Sequence, residues 1–135
     1  MTYMLLIYLD EHLLSDAERE HCYQESTQLA QDLDANGQFL ATAPLYPTSM
    51  STSVRVRDGK QLVTDGAFAE TREQLGGYFL VNAKDLDEAI AIAGRIPGAR
   101  VGTVEIRPVI EVPGLPEQRS ARRPQAQPVG DSLER

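Results

Sequence analysis

Two helix-start signals constrain the fold of this 135-residue chain most strongly. In the first, Ser15 stands three residues before Glu18, the spacing at which a hydroxyl and a carboxylate cap each other's backbone donors. In the second, Asp85 stands three residues before Glu88. The apolar run at residues 4–9, before the first signal, is typical of a central strand buried on both faces. The chain therefore predicts strands that alternate with capped helices.

Turn signals divide the rest of the chain. The Asn-Gly pair at 36–37 ends the first helix, because both residues tolerate the left-handed conformation of a helix end. The Asp-Gly pair at 58–59 lies between two β-type runs, at 53–57 and 61–64, and predicts a hairpin with a two-residue turn. A Pro-Gly pair at 97–98 ends the second helix.

Further strands at 39–45, 78–81 and 101–109 complete the predicted order. That order is strand, helix, strand, hairpin, strand, helix, strand. It predicts an α+β domain, a ferredoxin-like βαββαβ fold with an inserted β-hairpin. Two helices cover one sheet face, and Phe79 and Val81, together with Tyr78 and Leu80, cannot all be hidden beneath them. A second copy is the simplest cover, so we expect a homodimer.

One stretch carries a family resemblance. Residues 64–81, TDGAFAETREQLGGYFLV, are followed at once by NAKDLDEAIAIAGRIPGARVGTVEIRPV. Together they resemble the DGPF-type branch of the YCII-related proteins, with Ala67 in place of the usual Pro. The resemblance runs from about Tyr3 to Val112 and implies a dimeric α+β barrel, in which two sheets pack face to face. Proteins of this branch are often encoded beside alternative sigma factors, which implies a regulatory role.

Charge argues against direct nucleic-acid binding. The formal net charge is −7, whereas a duplex binder needs a cluster of cations to displace phosphate counterions. The densest basic group, Arg119, Arg122 and Arg123, lies in a polar stretch at 113–135. Its composition predicts a mobile tail behind a single domain at 1–112.

The sequence also predicts a cytoplasmic protein without a membrane segment. No apolar run approaches the roughly 18 residues that span a bilayer, and the N-terminus is acidic where a signal peptide is basic. Cys22 is the single cysteine, which excludes an intrachain disulfide and a multi-cysteine zinc site. With Glu20 and Glu25 as neighbours, its thiol is interpreted as a packed apolar group, not as a nucleophile.

Candidate acid-base residues are few. His12 and His21 are the chain's two histidines, and His21 is predicted on the polar side of the first helix, where a solvated role competes with a catalytic one. The resemblance implies a helix-borne His about three turns before the Gly that ends the helix, paired with an Asp. Counting back from Gly37 reaches Ser26, so His21 departs from that pattern.

Asp65 is the stronger candidate, because it matches the family's Asp-Gly pattern at the start of a loop. It either acts as a functional carboxylate or fixes the turn by accepting local hydrogen bonds. Glu70 is interpreted either as a solvated surface residue or as a residue that lines a cleft. Tyr8 and Arg107 are further ligand-binding candidates, since each is a polar-tipped residue on a predicted strand. No metal site is expected, because Asp10, Glu11 and His12 supply ligand types but, as adjacent residues at a strand end, do not point to one centre. No cofactor is expected, since the sequence has no phosphate-binding glycine motif.

Two functional hypotheses follow. The first is a small-molecule binding or regulatory module, whose dimer encloses an apolar pocket with few polar groups. The second is a cofactor-free enzyme that uses Asp65, with or without His21, for proton transfer. The sequence offers few residues suited to catalysis, which favours the binding or regulatory module. The ligand itself cannot be identified from the sequence.

Overall fold

A computed structural model describes residues 1–116 of the chain. Within them the strands are β1 (Thr2–Leu9), β2 (Phe39–Pro44), β3 (Thr52–Arg57), β4 (Lys60–Asp65), β5 (Gln74–Asn82) and β6 (Thr103–Pro108). The helices are α1 (Asp16–Ala35), α2 (Leu86–Ala93) and α3 (Gly98–Val101), with a 3-10 turn at Thr48–Met50. From residue 117 onward, the predicted tail at 113–135 lies outside the described residues.

Four strands form one sheet in the order β2–β5–β1–β6, and all neighbouring strands are antiparallel. If only the four strands of this sheet are numbered in chain order, the sheet order is 2–3–1–4, which is the order of a ferredoxin-like domain. β1 is an inner strand, as predicted. β3 and β4 form a separate two-stranded sheet around the turn at Asp58 and Gly59, whose φ angles are 53° and 74°. The α+β fold and the inserted hairpin are therefore confirmed.

Both predicted helix starts are present. The Ser15 hydroxyl accepts a hydrogen bond from the Glu18 backbone N–H at 3.1 Å, and the Glu18 carboxylate accepts one from the Ser15 N–H at 2.8 Å. The Asp85 carboxylate accepts from the Glu88 N–H at 2.9 Å. The Glu88 carboxylate accepts a hydrogen bond from the N–H of Lys84 at 2.8 Å and not from the N–H of the N-cap residue Asp85. Of the two predicted helices, only the first therefore has a complete capping box.

The helices cover one face of the main sheet. Leu29 and Leu33 of α1 and Ala89 of α2 are buried in one cluster with Leu5 and Phe79 of the sheet. Each large apolar side chain buried in this way contributes about 1.5–3 kcal/mol. This layer fixes which side of each strand faces the core.

The opposite sheet face is less covered than the sequence indicates. Burial of β1 on both faces is correct for one face only, because Tyr3 and Leu5 are buried whereas Met4 and Leu6 are half-buried. Side chains of a strand alternate between the two faces. We call the face opposite α1 and α2 the open face.

The same alternation corrects the assignment within β5. Phe79 and Val81 are buried beneath the helices, so they need no further cover. Tyr78 and Leu80 point to the open face and are half-buried. The residues that leave apolar surface for a partner are therefore Tyr78 and Leu80.

The second helix ends earlier than predicted. The Pro-Gly pair at 97–98 was the expected end, but α2 stops at Ala93 and α3 begins at Gly98. Between them, Ile96 is only 1% exposed. Gly94 forms the C-cap, its N–H donating to the Ile90 carbonyl at 3.0 Å, so the helix ends there and the chain continues to the buried Ile96.

Candidate functional site

The open face is an apolar surface with polar groups along one edge. Cross-strand pairing sets Leu80 beside Met4 and Tyr78 beside Leu6. Alanines of the edge strand β2 extend both rows. All of its apolar members are half-buried: Met4, Leu6, Ala41, Ala43, Tyr78 and Leu80.

Two charged side chains of β6 lie on this face. Arg107 pairs with Met4 and Glu105 pairs with Leu6, so both point to the open face. They are the only charged residues in the four strands of the main sheet. Within residues 1–116, neither side chain makes a hydrogen bond or an ion pair, and both residues are exposed. The Arg107 guanidinium is thus available to an anionic group.

Tyr8 and Arg107, both predicted from the sequence, lie on this one face. Tyr8 pairs with Thr103, four residues from Arg107 along β6. At about 3.3 Å per residue, the two positions are about 13 Å apart along the strand. That span suits a small molecule lying across the rows of Leu6 and Met4.

A hydrogen-bonded rim lies at the end of the sheet where β1 ends. The Glu11 carboxylate accepts hydrogen bonds from both the N–H and the hydroxyl of Thr48, each at 2.7 Å. The Gln74 side chain accepts from the Glu11 N–H at 3.0 Å, and the Thr103 hydroxyl donates to Glu73 at 3.0 Å. Sequence reasoning missed Glu11 and Glu73, and their position beside strand ends was the available signal.

Asp65 and Glu70 are exposed and do not lie on the main sheet. Within residues 1–116, the Asp65 carboxylate has no hydrogen-bond partner. The following turn, with φ of 94° at Gly66, is held instead by the Gly66 N–H donating to the Ser51 carbonyl at 2.7 Å. The Ser53 hydroxyl also donates to the Gly66 carbonyl at 2.8 Å. The turn therefore does not require the Asp65 carboxylate.

His21 is exposed on α1, across the sheet from the open face. One turn further along α1, Glu25 accepts two hydrogen bonds from Arg100, at 2.9 and 2.7 Å. These bonds lower the pKa of the Glu25 carboxyl. The structure thus separates His21 from Tyr8 and Arg107 by the thickness of the sheet.

Cys22 is a half-buried thiol next to the ion pair of Glu25 and Arg100. Burial raises the pKa of the Cys22 thiol, Glu25 raises it further, and Arg100 acts in the opposite direction.

A thiol must ionise to react. We therefore expect iodoacetamide at pH 7.5 to alkylate folded Cys22 more slowly than the same thiol in urea-unfolded protein. Equal rates in the two states, followed by mass spectrometry, would contradict the packed-thiol interpretation.

A shallow depression of about 240 Å³ lies between α1 and β2. Its lining combines apolar and polar side chains: Thr27, Ala30, Gln31, Asp34 and Phe39. It lies on the helix side of the domain, and sequence reasoning did not predict it. Its open shape provides less enclosure than the 70–90% burial typical of a bound drug-sized ligand.

Residues 1–116 contain no group of three or more His, Cys, Asp or Glu side chains arranged to hold a metal ion. In the same residues, no helix has the length and apolar character needed to cross a membrane.

Comparison with known proteins identifies the family of this sequence. The model of the YCII-related domain matches residues 1–113. The chain belongs to the YCII-related family. An uncharacterized protein of Rhizobium meliloti (strain 1021) is 35% identical over 118 residues, covering 81% of this YCII-related chain and 92% of that protein.

Proposed function

We propose that this YCII-related protein is a homodimeric small-molecule binding or regulatory module of the DGPF-type branch, with its ligand on the open face. The observation that supports the proposal best is the composition of that face. It joins half-buried apolar residues, among them Leu6 and Leu80, to a charged edge at Glu105 and Arg107. Large apolar patches rimmed by polar groups are typical of interaction and ligand sites.

A second copy is the cover that suits this face. Two sheets packed face to face exclude water from Leu6, Tyr78 and Leu80 in both copies at once. The same closure would bury part of Arg107. A buried cation needs a partner with hydrogen-bonding capacity. A ligand carboxylate or phosphate supplies one, and Glu105 of a second copy supplies another.

We also propose that the protein is cytoplasmic and that its role is linked to alternative sigma factor systems. Resemblance to the DGPF-type branch supports that role. Residues 1–116 carry 9 Lys and Arg against 17 Asp and Glu, a net charge of −8. Such an acidic domain is poorly suited to direct contact with nucleic acid, so regulation through a bound small molecule is favoured.

The homodimer is tested by light scattering at micromolar concentration. The expected mass is about twice the 14.9 kDa of one chain. A single species at the mass of one chain would contradict the proposed closure of the open face.

The site is tested by screening metabolites for thermal stabilisation. We expect the compounds that stabilise the protein to carry a carboxylate or a phosphate, because the Arg107 fork has no internal partner in residues 1–116. Arg107→Gln should weaken binding of such a compound by about tenfold or more, since a charge-assisted hydrogen bond contributes about 1.5–3 kcal/mol. Arg72→Gln, at an exposed position off the main sheet, is the matched control. Equal loss in both variants would place the site elsewhere.

One observation favours a second candidate, the cofactor-free enzyme. The exposed Asp65 carboxylate is not used to hold its turn, so it remains available for proton transfer. His21 lies in the helix layer and is not required by this version of the mechanism. If a screened compound is turned over, Asp65→Asn should fold normally and lose turnover. Full turnover in that variant would exclude Asp65 from catalysis.

A further inference from the structure

The inserted hairpin is an arm that stands apart from the main sheet. Its two strands, Thr52–Arg57 and Lys60–Asp65, pair with each other and with no strand of the main sheet. Six residues per strand give a length of about 20 Å. Almost every residue of the arm is exposed, Ser53 being half-buried. A two-stranded hairpin of this kind is only marginally stable without packing.

One face of the arm carries three valines together with the polar residues Gln61 and Asp65, whereas the other face carries Leu62 among its cations. Val54 pairs directly with Val63, and Val56 lies two residues along the same strand, so the three side chains share a face. They are 55%, 60% and 60% exposed in the order Val54, Val56, Val63. β-branched residues suit strands that pack against another surface. This face has the chemistry of an interface and is not covered within residues 1–116.

The other face is basic. Arg55 and Arg57 lie on it together with Lys60, and none of the three forms an ion pair within residues 1–116. The arm holds 3 of the 9 cations and 2 of the 17 acids in residues 1–116. Its net charge is therefore 3 − 2 = +1, and that of the remaining body is 6 − 15 = −9. Opposite charges of this kind favour contact between the arm and an acidic body.

The base of the arm is fixed to its own domain. Glu11 binds Thr48 through two hydrogen bonds of 2.7 Å, just before the arm begins. The Gly66 N–H bonds to Ser51 at 2.7 Å, just after the arm ends. The Glu11–Thr48 bonds attach the segment before the arm to the loop after β1, and the Gly66–Ser51 bond closes the base of the hairpin. An arm with a fixed base and an uncovered tip is preorganised for docking onto another molecule.

We propose that the hairpin arm docks onto a second copy of this chain. Its valine face packs against the partner, and the positive net charge of the arm favours its approach to the partner's acidic body. This inference rests on the proposed homodimer. Between β2 and the arm, Leu45 and Met50 are 43% and 64% exposed, so the segment that leads to the arm also carries apolar side chains that residues 1–116 leave uncovered. In a symmetric dimer each copy donates one arm and receives one.

The test removes the apolar face while keeping strand propensity. Val54→Thr, Val56→Thr and Val63→Thr are combined, and the dimer dissociation constant is measured by sedimentation. We expect dimer affinity to fall at least tenfold. The matched control is Leu86→Gln with Ile90→Gln, two α2 residues with similar exposures of 52% and 51%. The control should dimerise as the wild type does.

Hydrogen exchange reports on the arm directly. In the wild-type dimer, amides of β3 and β4 should be protected, and protection should fall in the triple variant although circular dichroism shows a folded domain. Unprotected arm amides in the wild-type dimer would overturn the proposal, and a different protein would then be the expected partner of the arm. So would unchanged affinity in the triple variant.

A sheet variant separates this inference from the proposed function. Leu80→Asp places a charge on the open face. If Leu80→Asp dissociates the dimer and the triple arm variant does not, the arm proposal fails while the sheet-face dimer stands. If only the arm variant dissociates the dimer, the arm proposal stands and the sheet-face closure fails. A wild-type protein that is monomeric at every concentration overturns both.

Salt provides a readout specific to the basic face. Dimer affinity of the wild type should fall as sodium chloride rises, because exposed charges are screened. Arg55→Gln with Arg57→Gln should weaken the dimer at low salt and reduce its dependence on salt. Arg72→Gln should leave that dependence unchanged, and an equal reduction in both would overturn the assignment of charge to the arm.

Discussion

Replacing Gly102 with alanine should destabilise the protein by about 3 kcal/mol or more. A Cβ atom at Gly102 would overlap the carbonyl oxygen of Tyr8, and it would lie 3.0 Å from both Cα and Cβ of Leu9. These neighbours belong to the inner strand β1, whose Leu5 is fully buried. β1 therefore has little freedom to move away, and overpacking that forces side chains and backbone to shift typically costs about 1–3 kcal/mol and occasionally more.

Gly76→Ala is the matched control for that substitution. The nearest atom to a Cβ at Gly76 is Leu9 Cγ at 3.7 Å, which is ordinary van der Waals contact. We expect a change in the free energy of unfolding of less than about 1 kcal/mol, because alanine also suits an extended backbone better than glycine. Urea unfolding of both variants measures the difference. Equal stabilities would show that β1 shifts at Tyr8 to accommodate the added methyl group.

Features set by neighbouring residues were predicted correctly from the sequence. The Ser15 and Glu18 cap depends on a three-residue spacing, and the turn at Asp58 and Gly59 depends on residues that tolerate positive φ. Both signals are local, so tertiary structure did not need to be known. Together with the apolar runs they were sufficient for the order of the six strands with α1 and α2, and hence for the fold class, although α3 at Gly98–Val101 was not predicted.

Features decided by tertiary contacts were not predicted. α2 ends at Ala93, where Gly94 is a local stop signal that the prediction from the Pro-Gly pair overlooked, whereas the burial of Ile96 beyond it is a tertiary contact. Arg95 instead forms an ion pair with Asp32 of α1 at 2.8 Å. These two residues are far apart in sequence, so their contact is determined by how the helices pack in the folded domain.

The candidate site shows the same division. Alternation along β1 and β6 was readable, so Tyr8 and Arg107 could be predicted on strands, but their common face required the register. His21 was chosen for its residue type, and type alone does not reveal that α1 covers the opposite face. The role of Asp65 depended on whether other groups hold its turn, and Ser53 and Ser51 do so.

Leu80→Asp should convert the proposed homodimer to a folded monomer. Leu80 lies on the open face opposite Met4 on one side and Ala41 on the other, at the centre of the apolar rows. In the monomer this position is only half-buried, so an aspartate there keeps its hydration and the domain remains folded. Between two packed sheets, the same carboxylate would be dehydrated without a partner.

An unpaired buried charge costs several kcal/mol. A cost of about 3 kcal/mol corresponds to a dimer about 100-fold weaker, since each 1.4 kcal/mol is a factor of ten. Sedimentation velocity at micromolar concentration measures the shift, and circular dichroism checks the fold. Leu86→Asp is the control, because Leu86 is 52% exposed at the start of α2, on the helix side of the sheet. Dimers of unchanged affinity in Leu80→Asp would show that the open face does not form the interface, and the ligand site would then have to be sought elsewhere, beginning with the depression between α1 and β2.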